Sequence, residues 1–254
     1  MTDRLVKISD NFWNVRGSYK VAGLLDVGTQ TSLVQLRSGD FVLLDAYRAS
    51  GEAERELMAL TDAGRAVRAI VHLHPFHTHY VRATAAQFPR AQLYGTSRHK
   101  KLAPELAWQT LQSDDPALHQ QFADDLTFTI PRSVDLVPES EALHFASILA
   151  LHKPSGTLHV DDTLTYSNIP LVGGLQFHPT LRFALHKRRG AAAEFRAWVE
   201  ELIGLCSGVQ RICTAHMRTL PPPPSESGVP ASEQIRALLS SASKMLDAHA
   251  RRYG

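Results

Sequence analysis

The stretch AIVHLHPFHTHY, residues 69–80, places four histidines, His72, His74, His77 and His79, directly after an apolar run. The apolar run is typical of a buried strand, so the imidazoles follow the point where a strand ends. Charged rings held this close repel one another, and buried neutral rings each need a partner. A divalent cation meets both needs, because neutral imidazole is a good ligand for zinc, iron or manganese. The stretch predicts a metal site, against the alternative of a purely structural cluster.

The spacing of the first three histidines favours the metal site. His72 and His74 are two residues apart at a strand end, so both side chains can point to the same side. The chain then turns, and the side chain of His77 can point back toward the other two histidines. Isolated histidines elsewhere are more typical of surface or hydrogen-bonded core positions, and we assign none of these to the site: His99, His119 and His249.

Neighbouring histidines alone do not complete a metal site, so distant ligands are needed. The candidates are His144 in EALHFAS (141–147), Asp161 or Asp162 in HVDDTLTY (159–166), and His216 in CTAHMRT (213–219). Each lies at a predicted strand end or edge, where the open edge of a β layer places functional groups. Taken singly, each is an ordinary core or loop residue. Together they form an ordered set of ligand types.

Composition narrows the function classes. The chain has 254 residues, 44% of them hydrophobic and 20% charged, with a formal net charge of +2. A dedicated nucleic-acid binder would carry a strong basic surplus, and the basic cluster here is only HKRR at 186–189. No apolar run approaches the ~18 residues that span a bilayer, and the N-terminus lacks a secretory signal pattern. We expect a cytoplasmic protein with a small-molecule substrate, without nucleic-acid or membrane partners; the sequence is compatible with a homo-oligomer.

The order of elements predicts an α/β (α+β) fold in a single domain, residues 1–254. Short strand-like runs come first, with a hairpin turn at residues 38–40, followed by a helix in SGEAERELMALTDAG (50–64) that Ser50 can cap. Strands and helices then alternate with short connections. We expect a helical insertion near 97–124, no helix in the proline-rich segment 220–230, and a C-terminal helix at 231–252. Cys206 and Cys213 are too few for a disulfide framework and are predicted to be buried thiols.

These residues resemble the metallo-β-lactamase-fold superfamily of metal-dependent hydrolases over roughly residues 10–220. The superfamily's HxHxDH motif, later lone His, Asp and last His match His72-Leu73-His74-Pro75-Phe76-His77, His144, Asp162 and His216. GDFVLLDAY resembles the strand that ends in a supporting Asp, here Asp45. The resemblance implies a four-layer αββα sandwich, and HxHxFH in place of HxHxDH indicates a divergent branch.

The resemblance implies one or two zinc ions, with iron or manganese as alternatives. His72, His74 and His144 would hold the first ion, and the motif Asp, His77 and His216 the second, with Asp162 bridging. The motif Asp is replaced by Phe76, which cannot coordinate a metal. Three outcomes follow: a single-ion site, a remodelled two-ion site in which His79 replaces the missing Asp, or a degenerate site. The missing family glycines at 141–143 and at Met217 indicate a reshaped pocket.

By the same resemblance, metal-bound hydroxide attacks an ester, lactone, amide or phosphoester, with catalytic roles for Asp162 and His77. Tyr166 and Arg218 follow ligand positions and are the candidates for substrate contact. Two alternatives remain: a catalytically inactive binding protein on the same fold, and a non-haem iron protein that uses His77, His216 and Asp162. The sequence contains no dinucleotide or phosphate-binding loop and no GxSxG motif.

Overall fold

A computed structural model describes residues 3–21, 24–167, 173–216 and 220–254. The N-terminal half forms a six-stranded sheet in the order β1-β2-β5-β6-β7-β8, and β3 pairs with β4 in a separate hairpin. The strands are β1 Arg4–Ser9, β2 Phe12–Gly17, β3 Lys20–Val21, β4 Leu25–Asp26, β5 Thr29–Gln35, β6 Phe41–Leu44, β7 Val67–Val71 and β8 Gln92–Tyr94. Strands β1, β2, β5 and β6 pair antiparallel, whereas β6, β7 and β8 run parallel.

The C-terminal half forms a four-stranded sheet in the order β14-β11-β10-β9, beside the pair β12-β13. These strands are β9 Leu126–Thr129, β10 Leu149–His152, β11 Thr157–Val160, β12 Leu164–Ser167, β13 Gly174–Phe177 and β14 Arg211–Thr214. The α-helices are α1 Gly51–Leu60, α2 Val81–Gln87, α3 Ser97–Leu102, α4 Pro116–Gln121, α5 Leu181–Ala184, α6 Ala191–Leu205, α7 Pro224–Ser227 and α8 Ala231–Tyr253. Short 3₁₀ turns span Glu141–Leu143 and Cys206–Gly208.

Three apolar clusters lie between four layers. Alternation along β6 sends Val42 and Leu44 toward the other sheet, where they meet residues such as Ala150, and sends Phe41 and Leu43 toward Leu57 of α1 and its neighbours. On the far side, the second sheet packs against α6 and α8, with these residues in one cluster: Leu149, Leu158, Phe195, Trp198 and Ile235. Both sheets are therefore buried on two faces, as the near-continuous apolar strands predict. The molecule is an αββα sandwich.

Several local predictions are confirmed. The hairpin between β5 and β6 turns at residues 38–40, where Gly39 has φ +93°, a left-handed conformation that suits glycine. Helices α1 and α8 form in the segments predicted for them. Cys206 and Cys213 are buried free thiols.

Two local predictions are wrong. Ser50 does not cap α1 with its side chain, because its hydroxyl donates to Asp3 at 2.7 Å instead. The proline-rich segment contains the short helix α7, which starts with Pro224. A proline is tolerated in the first helical turn because no intrahelical hydrogen bond is needed from its nitrogen.

The strand directions bring separate parts of the chain to one edge. Strands β6 and β7 are parallel, as are β11 and β14, so the carboxyl ends of each pair lie at the same edge of their sheet. Asp45 follows β6, His74 follows β7, Asp162 follows β11 and His216 follows β14. Among the described residues, no helix is long and apolar enough to cross a membrane.

Candidate metal centre

Asp162 lies at the centre of the site and is buried. One of its oxygens, Oδ2, lies 3.3 Å from Nε2 of His74 and 3.8 Å from Nε2 of His77. The other oxygen, Oδ1, lies 2.7 Å from Nε2 of His216. Burial alone would raise the pKa of the carboxyl, but the imidazoles of His74, His216 and His77 hold it well below its usual range. Asp162 is therefore a buried anion surrounded by three imidazoles.

His74 and His77 are positioned by the turn that follows β7. The backbone N–H of Phe76 points at Nδ1 of His74 at 3.2 Å, and Nε2 of the ring faces Asp162. To offer the Nε2 lone pair to a cation, the neutral ring must carry its proton on Nδ1 in place of this contact. The N–H of His77 donates to the carbonyl of His74 at 3.1 Å, and the two rings lie 4.3 Å apart. One potential ligand atom each from His74, His77 and Asp162 lies within 4.8 Å of the other two. These three residues form a group of the size that a metal ion requires.

Two further carboxyl groups lie on the Nδ1 side of the His77 ring. Its Nδ1 lies 3.2 Å from Oδ2 of Asp45 and 3.8 Å from Oδ1 of Asp161. Asp45 has φ +62°, and its Oδ1 accepts the backbone N–H of Leu73 at 3.1 Å, so the carboxyl group is held in place. A histidine that donates one ring N–H to a carboxylate presents its other nitrogen in the orientation seen for metal ligands. Asp45, His77 and Asp161 also satisfy the 4.8 Å criterion as a second group.

The pKa values of His77 and of the two acids beside its Nδ1 are all shifted. Burial lowers the pKa of His77, but Asp45, Asp162 and Asp161 outweigh burial and raise that pKa to about 10. Burial and the charge of Asp161 raise the pKa of Asp45 well above its usual range. The pKa of Asp161 is lowered despite its burial, because the imidazoles of His159 and His77 stabilise its anion. The neighbouring acids Asp45 and Asp161 are thus coupled, with the pKa of Asp45 raised and that of Asp161 lowered.

The donor set fits a metal ion. Nε2 of His74 and Oδ1 of Asp162 are buried and have no hydrogen-bond partner, which is costly for polar atoms unless another group satisfies them. Imidazole and carboxylate are ligands that zinc takes in tetrahedral sites, and that iron or manganese also accept. His74, His77 and Asp162 lie close enough together to hold one ion, and His216 contacts the other oxygen of Asp162 outside that group.

The structure does not bring His72 into this group. The N–H of His72 donates to the carbonyl of Tyr94 at 2.9 Å, so His72 continues the sheet beyond β7. Its ring stacks on His99 at 4.9 Å and lies edge-on to Trp108 at 5.4 Å. Strand β7 ends at Val71 and a turn begins at Pro75, so the two-residue alternation that would place His72 and His74 on one side is not maintained by the strand.

The remaining predicted residues have different positions. The ring of His144 lies at the rim, 6.3 Å from the ring of Phe76, with Nδ1 2.6 Å from the carbonyl of Glu141. His79 is exposed and its ring lies 4.6 Å from Tyr80 rather than in either group. Tyr166 lies half-buried in β12, paired in register with Leu175. Arg218 and Met217 lie outside the described residues.

Asp161, the alternative candidate to Asp162, also borders the site. The adjacent acids face opposite nitrogens of His77, and only Asp162 faces His74. The pair DD after a strand is the sequence signal for both. His178, which no motif assigns to the site, has its ring 4.9 Å from that of His144 at the rim. Only a weak signal, its place shortly after β13, pointed to it.

The sandwich and its edge group define the metallo-β-lactamase fold. Solved structures with this fold align along nearly the whole chain. FIM-1 from Pseudomonas aeruginosa, a metallo-β-lactamase in its mono-zinc form, is 13% identical, with 96% of this chain and 97% of that chain covered and a TM-score of 0.59.

Two other metallo-β-lactamases give similar values. The protein from Erythrobacter litoralis is 14% identical, with 94% of this chain and 96% of that chain covered and a TM-score of 0.60. The protein from Pontibacter korlensis is also 14% identical, with coverages of 97% and 99% and a TM-score of 0.56. By sequence alone, no family model and no curated protein matches the chain. The likeness therefore concerns the fold, in a strongly diverged sequence.

Proposed function

We propose that this protein is a metal-dependent hydrolase with one principal ion, held by His74, His77, Asp162 and His216. The observation that carries the proposal is the buried Asp162 anion, whose two oxygens face three separate imidazoles. Zinc is the proposed metal, and the mono-zinc form of the structurally similar FIM-1 supports a one-ion arrangement on this fold. The proposed substrate is a small molecule with an ester, lactone, amide or phosphoester bond.

A bound divalent ion would supply Lewis acidity and bring the pKa of a water ligand toward ~7. The chain's own residues prepare the site for it. Asp45 accepts the Nδ1 proton of His77 and Asp161 lies close by, which directs Nε2 at the ion position, where the ion would replace the Nε2 proton. The buried carboxylate of Asp162 offsets part of the cation's charge.

Phe76 gives the site one anionic ligand fewer than the HxHxDH motif supplies. Its ring lies 5.9 Å from that of His74, so an apolar surface borders the position where the motif places an acid. A second ion would lack that anionic ligand, which favours a single ion. The same feature supports a second candidate function, a non-catalytic binding protein on this fold.

Metal analysis combined with turnover tests the proposal. We expect about one equivalent of a transition metal per chain in protein purified without added metal, and hydrolysis of at least one ester or phosphoester that stops when a chelator removes the ion. Less than about half an equivalent, with no gain on reconstitution, would overturn the metal centre. Metal without turnover across the panel would favour the binding protein, and iron in the fresh protein would favour the non-haem iron alternative.

A further inference from the structure

Phe76 connects the metal centre to a half-buried cationic side chain. Cζ of Arg98 lies 4.5 Å from the centroid of the Phe76 ring, in cation–π geometry. The same ring lies 5.9 Å from the His74 ring and 6.3 Å from the His144 ring. The residue that replaces the motif's acid thus supports a guanidinium beside the proposed ion site.

Arg98 is held firmly by its surroundings. It lies in the first turn of α3, where Thr96 and His99 form a reciprocal capping arrangement, and His99 in turn stacks on His72. The Arg98 side chain is only 22% exposed, and its Nε is buried without a hydrogen-bond partner. An arginine fixed in this way has lost most of its side-chain freedom before any ligand arrives.

The present partner of Arg98 is exchangeable. Its Nη2 pairs with Glu141, whose side chain is 74% exposed at the protein surface. Exposed ion pairs contribute little net free energy, because water solvates both groups well when they separate. Glu141 lies in the turn that leads to His144, so the pair borders the same rim as His144 and His178.

We propose that Arg98 binds an anionic group of the substrate, a carboxylate or a phosphate, in place of Glu141. The planar guanidinium offers paired N–H donors that match either anion, and the Phe76 ring fixes its plane. This inference rests on the proposed function and specifies its substrate class: a hydrolysable small molecule with an anionic group near the scissile bond. Phe76 thus replaces a metal ligand with an aromatic ring that positions the Arg98 guanidinium, and Arg98 selects the substrate.

Binding of two probes, inorganic phosphate and glutarate, tests the proposal by titration calorimetry at low ionic strength on metal-free and zinc-loaded protein. Arg98→Met keeps the aliphatic contact with Phe76 and removes the charge, so we expect it to weaken binding of the preferred probe by ~10-fold or more. Glu141→Gln removes the competing carboxylate and should strengthen binding several-fold. The preferred probe distinguishes a carboxylate from a phosphate substrate.

The matched control is Arg82→Met, because Arg82 forms a similar ion pair with Glu105, with both side chains more than half exposed. Equal probe binding by the wild type, Arg98→Met and Glu141→Gln would overturn the inference, as would no probe binding to the wild type. If Arg98→Met fails to fold, the Glu141→Gln result decides. Arg98-dependent binding to metal-free protein would stand even if metal analysis removed the proposed hydrolase, so the two failures are distinguishable.

Discussion

Nε2 of His216 lies 2.7 Å from Oδ1 of Asp162, but the contact is not aligned as a hydrogen bond. The other ring nitrogen of His216, Nδ1, lies 3.0 Å from the carbonyl of Gly28 and donates to it, so in the neutral ring Nε2 carries a lone pair. A lone pair this close to a carboxylate is repelled unless a proton or a cation lies between them. Burial lowers the pKa of His216, yet Asp162 outweighs burial and raises it. We interpret the pair as one that a metal ion can stabilise.

Removing the charge of Asp162 should therefore remove the ion. We expect Asp162→Asn to lower metal affinity by more than ~100-fold, because even residues that only support ligands contribute 10- to 100-fold. Metal content after dialysis against a competing chelator measures the effect. Asp135→Asn is the matched control, since Asp135 pairs with His186 at 2.9 Å on the surface. Equal metal content in both variants would refute the central role of Asp162.

Substitution of His72 and substitution of His74 should have different effects on the metal content. His72→Phe keeps an aromatic ring against His99 and Trp108, so we expect metal content close to the wild type. His74→Phe removes the nitrogen that faces Asp162, and we expect the metal to be lost. Elemental analysis of both variants separates them. Loss of metal in His72→Phe with an intact fold would show that His72 turns toward the ion when one binds.

Asp45 should act through His77. Asparagine tolerates the left-handed backbone at this position and can still accept the N–H of Leu73, so Asp45→Asn should fold. Loss of the carboxyl group weakens the orientation of His77, and we expect metal affinity to fall by ~10- to 100-fold. Competition titration with a chromophoric chelator gives the dissociation constant. An unchanged constant would leave Asp45 with only a backbone role.

Phe76→Asp should restore an anionic group beside His74. We expect the metal content to rise from about one toward two equivalents per chain, measured under zinc saturation followed by gel filtration. Phe76→Leu is the control, because it changes the ring without adding a charge, and it should stay at the wild-type content. If both variants hold the same amount of metal, the loss of the motif's acid does not limit the number of ions.

Acid should destabilise the protein through a buried histidine remote from the metal centre. Burial lowers the pKa of His152 to about 4, from an ordinary value of 6.5. The imidazole of His152 therefore binds a proton more tightly in the unfolded chain than in the folded one. Its contribution to the free energy of unfolding is fully present above pH ~6.5 and is lost as the pH drops toward 4.

The variant that tests this is His152→Gln. Between pH 7 and pH 4.5 its free energy of unfolding should fall by roughly 2 kcal/mol less than that of the wild type. Urea unfolding at the two pH values measures the difference. The exposed His186→Gln is the control and should follow the wild type. Parallel losses in all three proteins would contradict the assignment.

The fold was largely accessible from the sequence because its signals are local. The continuous apolar run of β6 buries both faces of the strand, and the turn at Gly39 and the apolar stripe of α8 need no distant partner to be recognised. Prediction failed where a tertiary contact competed with a local signal. The hydroxyl of Ser50 donates a hydrogen bond to Asp3, 47 residues away, and does not cap its own helix.

The sequence by itself determined that histidines and acids follow strands whose ends share an edge, and that Phe76 removes one ligand. Only the tertiary structure decided which neighbours face the centre. Strand β7 ends at Val71, and the His72 ring stacks on His99 whereas His74 faces Asp162. Packing of the two sheets places Asp161 and Asp162 at opposite nitrogens of His77. Side-chain direction at a strand end depends on the first irregular residues and on the opposing layer. Both are long-range properties that spacing along the chain does not encode.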